Sequence, residues 1–195
     1  MATVKVSLPT SEPLVRALKC GDVVEISGAM VTGRDAVHKH LAEHHDEDVK
    51  DLLANNFIYH CGPVVKQNRD ESWSVSAAGP TSSIRQEPYE AEVLKRYGLR
   101  GAIGKGGMGK KTLDACREHG AVYLHAIGGL AALLAQKVVA VRDVRFLDEF
   151  GAPEAMWVLE VKDFPALVTM DAHGASLHDE VRADSEIRYK KLLGL

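Results

Sequence analysis

The chain has 195 residues, 46% of them hydrophobic and 26% charged, with a formal net charge of −3 at pH 7. This is the composition of an ordinary globular protein, long enough to bury a sizeable core. The balance is mildly acidic with no basic, aromatic-rich face, which speaks against nucleic acid as the main partner. The longest run without a polar side chain, Ala126–Ala135, is far short of the roughly 20 residues that span a bilayer. The opening Met-Ala-Thr-Val-Lys-Val lacks the apolar core of a signal peptide, so no membrane association and a cytoplasmic location are expected. With no internal repeat, low-complexity run or long linker, a single domain over 1–195 is predicted.

In chain order, Thr3–Leu8 alternates like an edge strand, and Gly21–Asp22 turns into a second strand over Val23–Ser27. Thr32 reads as an N-cap opening a helix through Gly33-Arg34-Asp35 to about His45. Phe57–His60 and Ser72–Ala78 read as strands, and Gly79-Pro-Thr-Ser-Ser83 as a sharp, hydroxyl-rich turn. A helix is predicted over Glu87–Tyr97, closed by Gly98. Arg100–Ile103 (strand), Lys111–His119 (helix, closed by Gly120) and Ala121–Ile127 (strand) then form one unit. A short apolar helix over Leu130–Lys137, strands over Glu154–Val161 and Ala166–Met170, and a polar helix over Ser176–Leu193 complete the pattern. Alternating strand and helix implies α/β architecture with parallel pairing. The strands before Ala78 are expected to form a barrel-like or second-sheet portion.

The stretch from Leu99 to Thr112 carries the strongest chemical signal. Gly104, Gly106, Gly107 and Gly109 surround Lys105 between a short apolar run and a helix. Glycines allow a sharp turn and close backbone approach, and backbone N–H groups at a helix N-terminus attract anions. Read as Gly-x-Gly-x-x-Gly, the loop lacks the Asp or Glu expected at the end of the next strand, which reads His125-Ala-Ile-Gly-Gly129. Read as a P-loop, it places Lys111 where Ser or Thr is required, with Thr112 one place late. A tight loop without any ligand is the remaining possibility, at a cost in backbone entropy.

Cys20, Cys61 and Cys116 are widely spaced and form no Cys-x-x-Cys pair, so neither a disulfide framework nor a metal ligand set is expected. His38, His40, His44 and His45 share one helical stretch but not a His-Glu-x-x-His frame, and they read as a solvated face.

Three turns set a cation beside glycine or hydroxyl groups: Thr32-Gly-Arg34, Gly79-Pro-Thr81-Ser-Ser-Ile-Arg85 and Gly104-Lys105-Gly-Gly. Each is read as following a strand, and ligands of α/β folds bind at the carboxyl ends of strands. Two arginines, able to fork a carboxylate, and one mobile lysine suit a dianion such as a dicarboxylate.

The segments Gly79–Arg85, Gly98–Met108 and Glu118–Gly129, with Glu149–Trp157 and Phe164–Gly174, closely resemble the class I (iron–sulfur) fumarase family in its C-terminal half, a separate β subunit in two-subunit members. The resemblance runs from about Ser27 to Leu177 and extends to the β subunit of L-tartrate dehydratase. It implies a swivelling β/β/α domain: a mixed sheet with strand–Gly-rich loop–helix units. It also implies reversible hydration of fumarate to (S)-malate, or a related dicarboxylate reaction. The implied [4Fe–4S] cluster belongs to the α subunit rather than to this chain, and the implied assembly is α2β2.

By the same resemblance Arg34 and Arg85 hold substrate carboxylates, Lys105 contacts substrate, and Thr81 is the base that handles the C3 proton. A threonine hydroxyl needs neighbouring cations or an acidified substrate proton to act so. Ser82 stands where members commonly carry a second threonine, and Gln86 replaces a more usual methionine. A non-catalytic module binding anionic metabolites is the alternative of another class.

Overall fold

A computed structural model describes residues 3–194. Met1, Ala2 and Leu195, at the ends of the domain expected over 1–195, lie outside the described residues. The elements are β1 (Thr3–Leu8), α1 (Glu12–Ala17), β2 (Val23–Thr32), α2 (Asp35–Glu43), α3 (Lys50–Leu53), β3 (Phe57–Tyr59), β4 (Val64–Gln67) and β5 (Trp73–Ala77). They continue with α4 (Glu90–Tyr97), β6 (Gly101–Gly104), α5 (Lys110–His119), β7 (Val122–His125), α6 (Ala131–Ala135), β8 (Val138–Arg145), α7 (Leu147–Phe150), β9 (Met156–Met170) and α8 (Leu177–Leu193). The chain is thus of mixed α/β type.

The main sheet has the order β1-β2-β3-β6-β7-β9-β8, and β2 also pairs with β9. Strands β2, β3, β6, β7 and β9 therefore close into a ring. From β1 to β7 the pairing is parallel, as the alternating pattern predicts, while β9 runs antiparallel to β2, β7 and β8.

Period-2 alternation sorts side chains into two cores. Phe57 and Tyr59 of β3 point into the ring with Ile26, Ile103, Leu124, Trp157 and Phe164. Their neighbour Ile58 points outward, with Ala102 and Tyr123, against Val37 and Leu41 of α2, Val93 and Leu94 of α4, and Ala115 and Cys116 of α5. Each such fully buried large side chain stabilises by about 1.5–3 kcal/mol, so both faces of the parallel strands are held firmly.

Several expectations are corrected. Thr32 is the last residue of β2, not an N-cap: it is buried, and its Oγ1 accepts from Trp157 N at 3.0 Å, while Arg34 takes the N-cap position. The two strands predicted across 154–170 are one, because the polar interruption at Asp163 is a bulge: Asp163 has φ 50° and its N–H donates to Ser27 Oγ at 3.0 Å. The strands before Ala78 are not a separate portion, since β1, β2 and β3 join the main sheet and only β4–β5 forms a second, two-stranded one. Strand β8 lies where no strand was expected, at the sheet edge, with mostly half-exposed residues. Gly98 and Gly120 do close their helices, at φ 64° and 66°. Among the described residues no helix is long and apolar enough to cross a membrane.

Candidate active site

Four adjacent parallel strands, β2, β3, β6 and β7, end on one edge, and their following residues build the site. After β2 comes Gly33-Arg34, after β3 His60-Cys61-Gly62, after β6 the Lys105 loop, and after β7 Ala126–Gly129. The segment Thr81–Ser83 does not follow a strand of this sheet, since β5 belongs to the small hairpin. It is instead inserted between the ends of β3 and β6 by backbone pairing. Thr81 N donates to His60 O at 2.7 Å, Lys105 N to Thr81 O at 3.2 Å, and Ser83 N to Lys105 O at 3.1 Å. The Thr81 hydroxyl donates to the same His60 carbonyl at 3.0 Å. Thr81 and Lys105 are thereby backbone neighbours.

The three cations differ in how they are held. Arg34 lies over Gly62, where a Cβ would come within 2.8 Å of its Nη1. Its Nε is 3.2 Å from Glu154 Oε1, and its Nη1 donates to Pro153 O at 3.3 Å. The other Glu154 oxygen accepts from Ala36 N at 3.0 Å, in the first turn of α2. Arg85 is about half exposed and pairs with Asp35, which Gln86 Nε2 also contacts. Lys105 is half-buried, its stem lying along Gly128, and it makes no ion pair among the described residues. Arg34 and Arg85 are tied together through the adjacent residues Arg34 and Asp35, and Thr81 with Lys105 through backbone pairing. Both arginines already hold a protein carboxylate, so Lys105 is the cation left uncompensated.

The glycine loop differs from the expected anion cradle. The N-terminus of α5 is filled by the protein's own Glu87. Its carboxylate accepts from Gly109 N (2.7 Å), Lys111 N (3.0 Å), Thr112 N (3.4 Å) and Thr112 Oγ1 (2.7 Å). A helix N-terminus attracts negative charge, and here a side chain already supplies it. Gly104, Gly107 and Gly109 serve closer packing instead. A Cβ at Gly104 would sit 1.8 Å from Ser83 Oγ, at Gly107 2.9 Å from the His178 ring, and at Gly109 2.5 Å from Glu87 Oε1.

Beneath the edge lies a polar cluster that sequence reasoning missed. His38, expected on a solvated face, is fully buried, as are His60 and Glu90. His60 Nε2 is 3.0 Å and His38 Nε2 3.1 Å from Glu90 Oε2. Burial pushes the Glu90 carboxyl up, but the His38 and His60 imidazoles more than reverse this and hold it at about 2. Burial likewise holds His60 below the usual imidazole range, against the pull of Glu90. Their sequence separations, 30 between His60 and Glu90, leave no periodic signal. His44 and His45 are exposed, as expected.

The cysteines do not fit an iron–sulfur cluster. Cys61 packs in the ring core and Cys116 in the helix-facing core, on opposite sides of the sheet, while Cys20 donates its thiol to Ala175 O at 3.3 Å. Burial pushes the Cys61 thiol up to about 12 and Cys20 up to about 11. Cluster ligation requires the thiolate.

The fold and the edge define a class: an α/β protein that displays two arginines, a lysine and a threonine at the carboxyl ends of parallel strands. Within that class the chain belongs to the family described as "Fumarase C-terminus", whose sequence model matches residues 1–181. It is 54% identical over 177 residues to a Geobacillus stearothermophilus protein named "Putative fumarate hydratase class I", covering 91% of this chain and 34% of that protein. It is 42% identical over 184 residues to the "Putative L(+)-tartrate dehydratase subunit beta" of Methanocaldococcus jannaschii, covering 93% and 94%. The L(+)-tartrate dehydratase subunit beta of Escherichia coli is 37% identical over 161 residues, 82% and 79% of the two chains. The chain thus spans about a third of the Geobacillus relative and nearly all of the Methanocaldococcus one.

Proposed function

We propose that this chain is the β-type subunit of a hydro-lyase that adds water reversibly to fumarate, giving (S)-malate. The observation that carries the reading is the backbone pairing of Thr81 with Lys105, on the edge that also displays Arg34 and Arg85. The 54% identity to a protein named as a fumarate hydratase supports fumarate as substrate. The two relatives of matching length are named as tartrate dehydratase β subunits, and this favours tartrate as the second reading.

In this reading Arg34 and Arg85 each offer further guanidinium N–H groups to a substrate carboxylate while Glu154 and Asp35 keep their planes fixed. Charge-assisted forks of this kind orient a dicarboxylate in both rotation and translation. Lys105 brings the uncompensated positive charge. In the dehydration direction Thr81 Oγ1, released from the His60 carbonyl and having given its own proton to solvent, takes the C3 proton as the alkoxide, a form that Lys105 favours; in hydration the Thr81 hydroxyl returns that proton to C3. The iron–sulfur cluster belongs to a partner α subunit and supplies Lewis-acid activation there. The fold is read as a single swivelling β/β/α domain, the assembly as α2β2, and the location as cytoplasmic.

The test is coexpression with an α-type partner, anaerobic loading with iron and sulfide, and assay with malate, fumarate and tartrate. Turnover of malate and fumarate supports the reading. Turnover of tartrate alone transfers it to the second substrate. Robust turnover by the purified single chain refutes the subunit assignment.

A further inference from the structure

The buried cluster behind the edge touches the backbone at each part of the site. His38 Nδ1 is 2.9 Å from Arg34 O. The carbonyl of His60 holds both Thr81 N and Thr81 Oγ1. His60 Nδ1 is 2.8 Å from Ser83 Oγ, and Ser83 N donates to Lys105 O. Tyr123 O–H donates to Ser83 Oγ at 2.9 Å, with Gly106 O at 3.4 Å. One continuous polar chain, His38–Glu90–His60–Ser83–Tyr123, therefore underlies Arg34, Thr81 and the Lys105 loop.

The hydrogens can be placed from what each partner accepts. Arg34 O only accepts, so His38 Nδ1 carries a proton. Ser83 accepts from Tyr123 and donates to His60 Nδ1, which leaves the His60 proton on Nε2, facing Glu90 Oε2. The Glu90 carboxylate then needs one positive charge beside it, because an isolated buried carboxylate is strongly disfavoured. His38 as an imidazolium supplies it. Its Nε2 lies 3.1 Å from Glu90 Oε2 but off the line of a directed hydrogen bond, so charge is its main contribution. A metal ion is the other cation that could serve, since the three ligating atoms lie within 4.8 Å of one another. The proton is favoured because both nitrogens approach one carboxylate oxygen at hydrogen-bond distance, leaving Glu90 Oε1 unused. Gly104 gives independent support: a side chain there would occupy the space of Ser83 Oγ and approach His60 Nδ1 to 3.0 Å.

We propose that His38, Glu90, His60 and Ser83 are positioning residues, a metal-free ion-pair chain that fixes Arg34, Thr81 and Lys105 relative to one another. Its effect on turnover rests on the hydro-lyase reading. Its effect on the backbone does not, and the test separates them.

The first measurement uses the full chain alone. Nitrogen-15 spectra of the imidazoles are expected to show His38 protonated on both nitrogens and His60 on Nε2 only, with no stoichiometric metal by elemental analysis. A bound metal at one equivalent overturns the proposal. Amide exchange at Thr81, Ser83 and Lys105 is expected to quicken at least about tenfold in Glu90→Gln and Ser83→Ala, while Ile26 stays protected. Unchanged exchange at Thr81 and Lys105 in a folded variant overturns it. Ser83→Ala removes a single oxygen and decides the matter if Glu90→Gln does not fold. In the loaded complex with the α subunit, kcat is expected to fall at least about tenfold with KM changed less than about threefold. Loss of stability with kcat intact assigns the chain a structural role only and overturns positioning. Absence of turnover in the wild-type complex counts against the hydro-lyase reading and leaves the exchange result standing.

Discussion

The hydroxyl of Thr112 donates to Glu87 at 2.7 Å, closing a carboxylate cap over the first turn of α5 that also takes Gly109 N and Lys111 N. The cap arises because Gly109 leaves room for the carboxylate 2.5 Å from where its Cβ would stand. The helix end is thus already occupied by the protein's own carboxylate, and in the proposed function the contact with an external anion falls to Lys105. Glu87→Ala is expected to lower stability by about 1–2 kcal/mol, as for loss of a strong cap. In a chain of this size that is a fall in Tm of roughly 2–8 °C. Denaturant unfolding of the single chain checks it, and an unchanged midpoint would deny Glu87 the capping role.

Gly104 and Gly106 belong to one loop but are glycine for different reasons. At Gly106 φ is 73° and nothing lies within 4 Å of a Cβ, so Gly106→Ala meets only backbone strain, of about 1–2 kcal/mol. At Gly104 the Cβ would stand 1.8 Å from Ser83 Oγ, so Gly104→Ala must expel that side chain and break its bond to His60. Its cost is expected to be the larger, about 3 kcal/mol or more from overpacking and a lost buried hydrogen bond. Pairing Gly104→Ala with Ser83→Gly should recover part of the loss, and no recovery would separate the two residues.

Among the described residues no carboxylate pairs with Lys105, so in the proposed function its removal should be felt in turnover. Two charge-assisted bonds at about 1.5 kcal/mol each amount to about 3 kcal/mol, or roughly a hundredfold in kcat/KM. Lys105→Ala and Arg85→Ala in the assembled enzyme are each expected to lose at least that much. A loss of about tenfold or less at either position removes it from the substrate site.

The sequence made the β6–α5–β7 unit legible because its signals are local: glycines at both ends of α5 and short apolar runs either side. The turns of Arg34 and Lys105 were legible for the same reason, since each directly follows its own strand, whereas the Thr81–Arg85 turn reaches the edge only by pairing with His60 and Lys105. What escaped reading was non-local. Nothing local in the α4 sequence singles out Glu90, whose buried partners His38 and His60 lie far away along the chain. Asp163 and Pro165 suggest a loop, but β9 absorbs Asp163 as a bulge and resumes antiparallel pairing at once, with Phe164 opposite Ile26 and Pro165 opposite Glu25, so it runs through without a break. Edge strand β8 has partly buried and exposed residues and none fully buried, so its alternation is weak. The carboxylates that hold Arg34 and Arg85 were invisible for a similar reason: Glu154 lies 120 residues from Arg34 and Asp35 lies 50 from Arg85.

The buried cluster also sets how stability responds to acid. His60 has a folded-state value below 6.5, so unfolding lets it take up a proton once the pH falls below that range. Glu90 is held at about 2 against an ordinary 4.5, so its contribution is complete above about 4.5 and is lost as the pH falls through about 2. In both cases the unfolded chain binds more protons, and stability must decline with acidity. The single chain is expected to lose stability in two stages, one beginning near pH 6.5 and one below about pH 4.5. Urea midpoints measured from pH 8 to pH 3 resolve the two. In Glu90→Gln, if folded, the Glu90 contribution to the lower stage should vanish. His60 should become harder to protonate without the carboxylate, so the upper stage should persist. A Glu90→Gln profile that superimposes on wild type below pH 4.5 would show that the carboxylate is not held ionised by the two histidines.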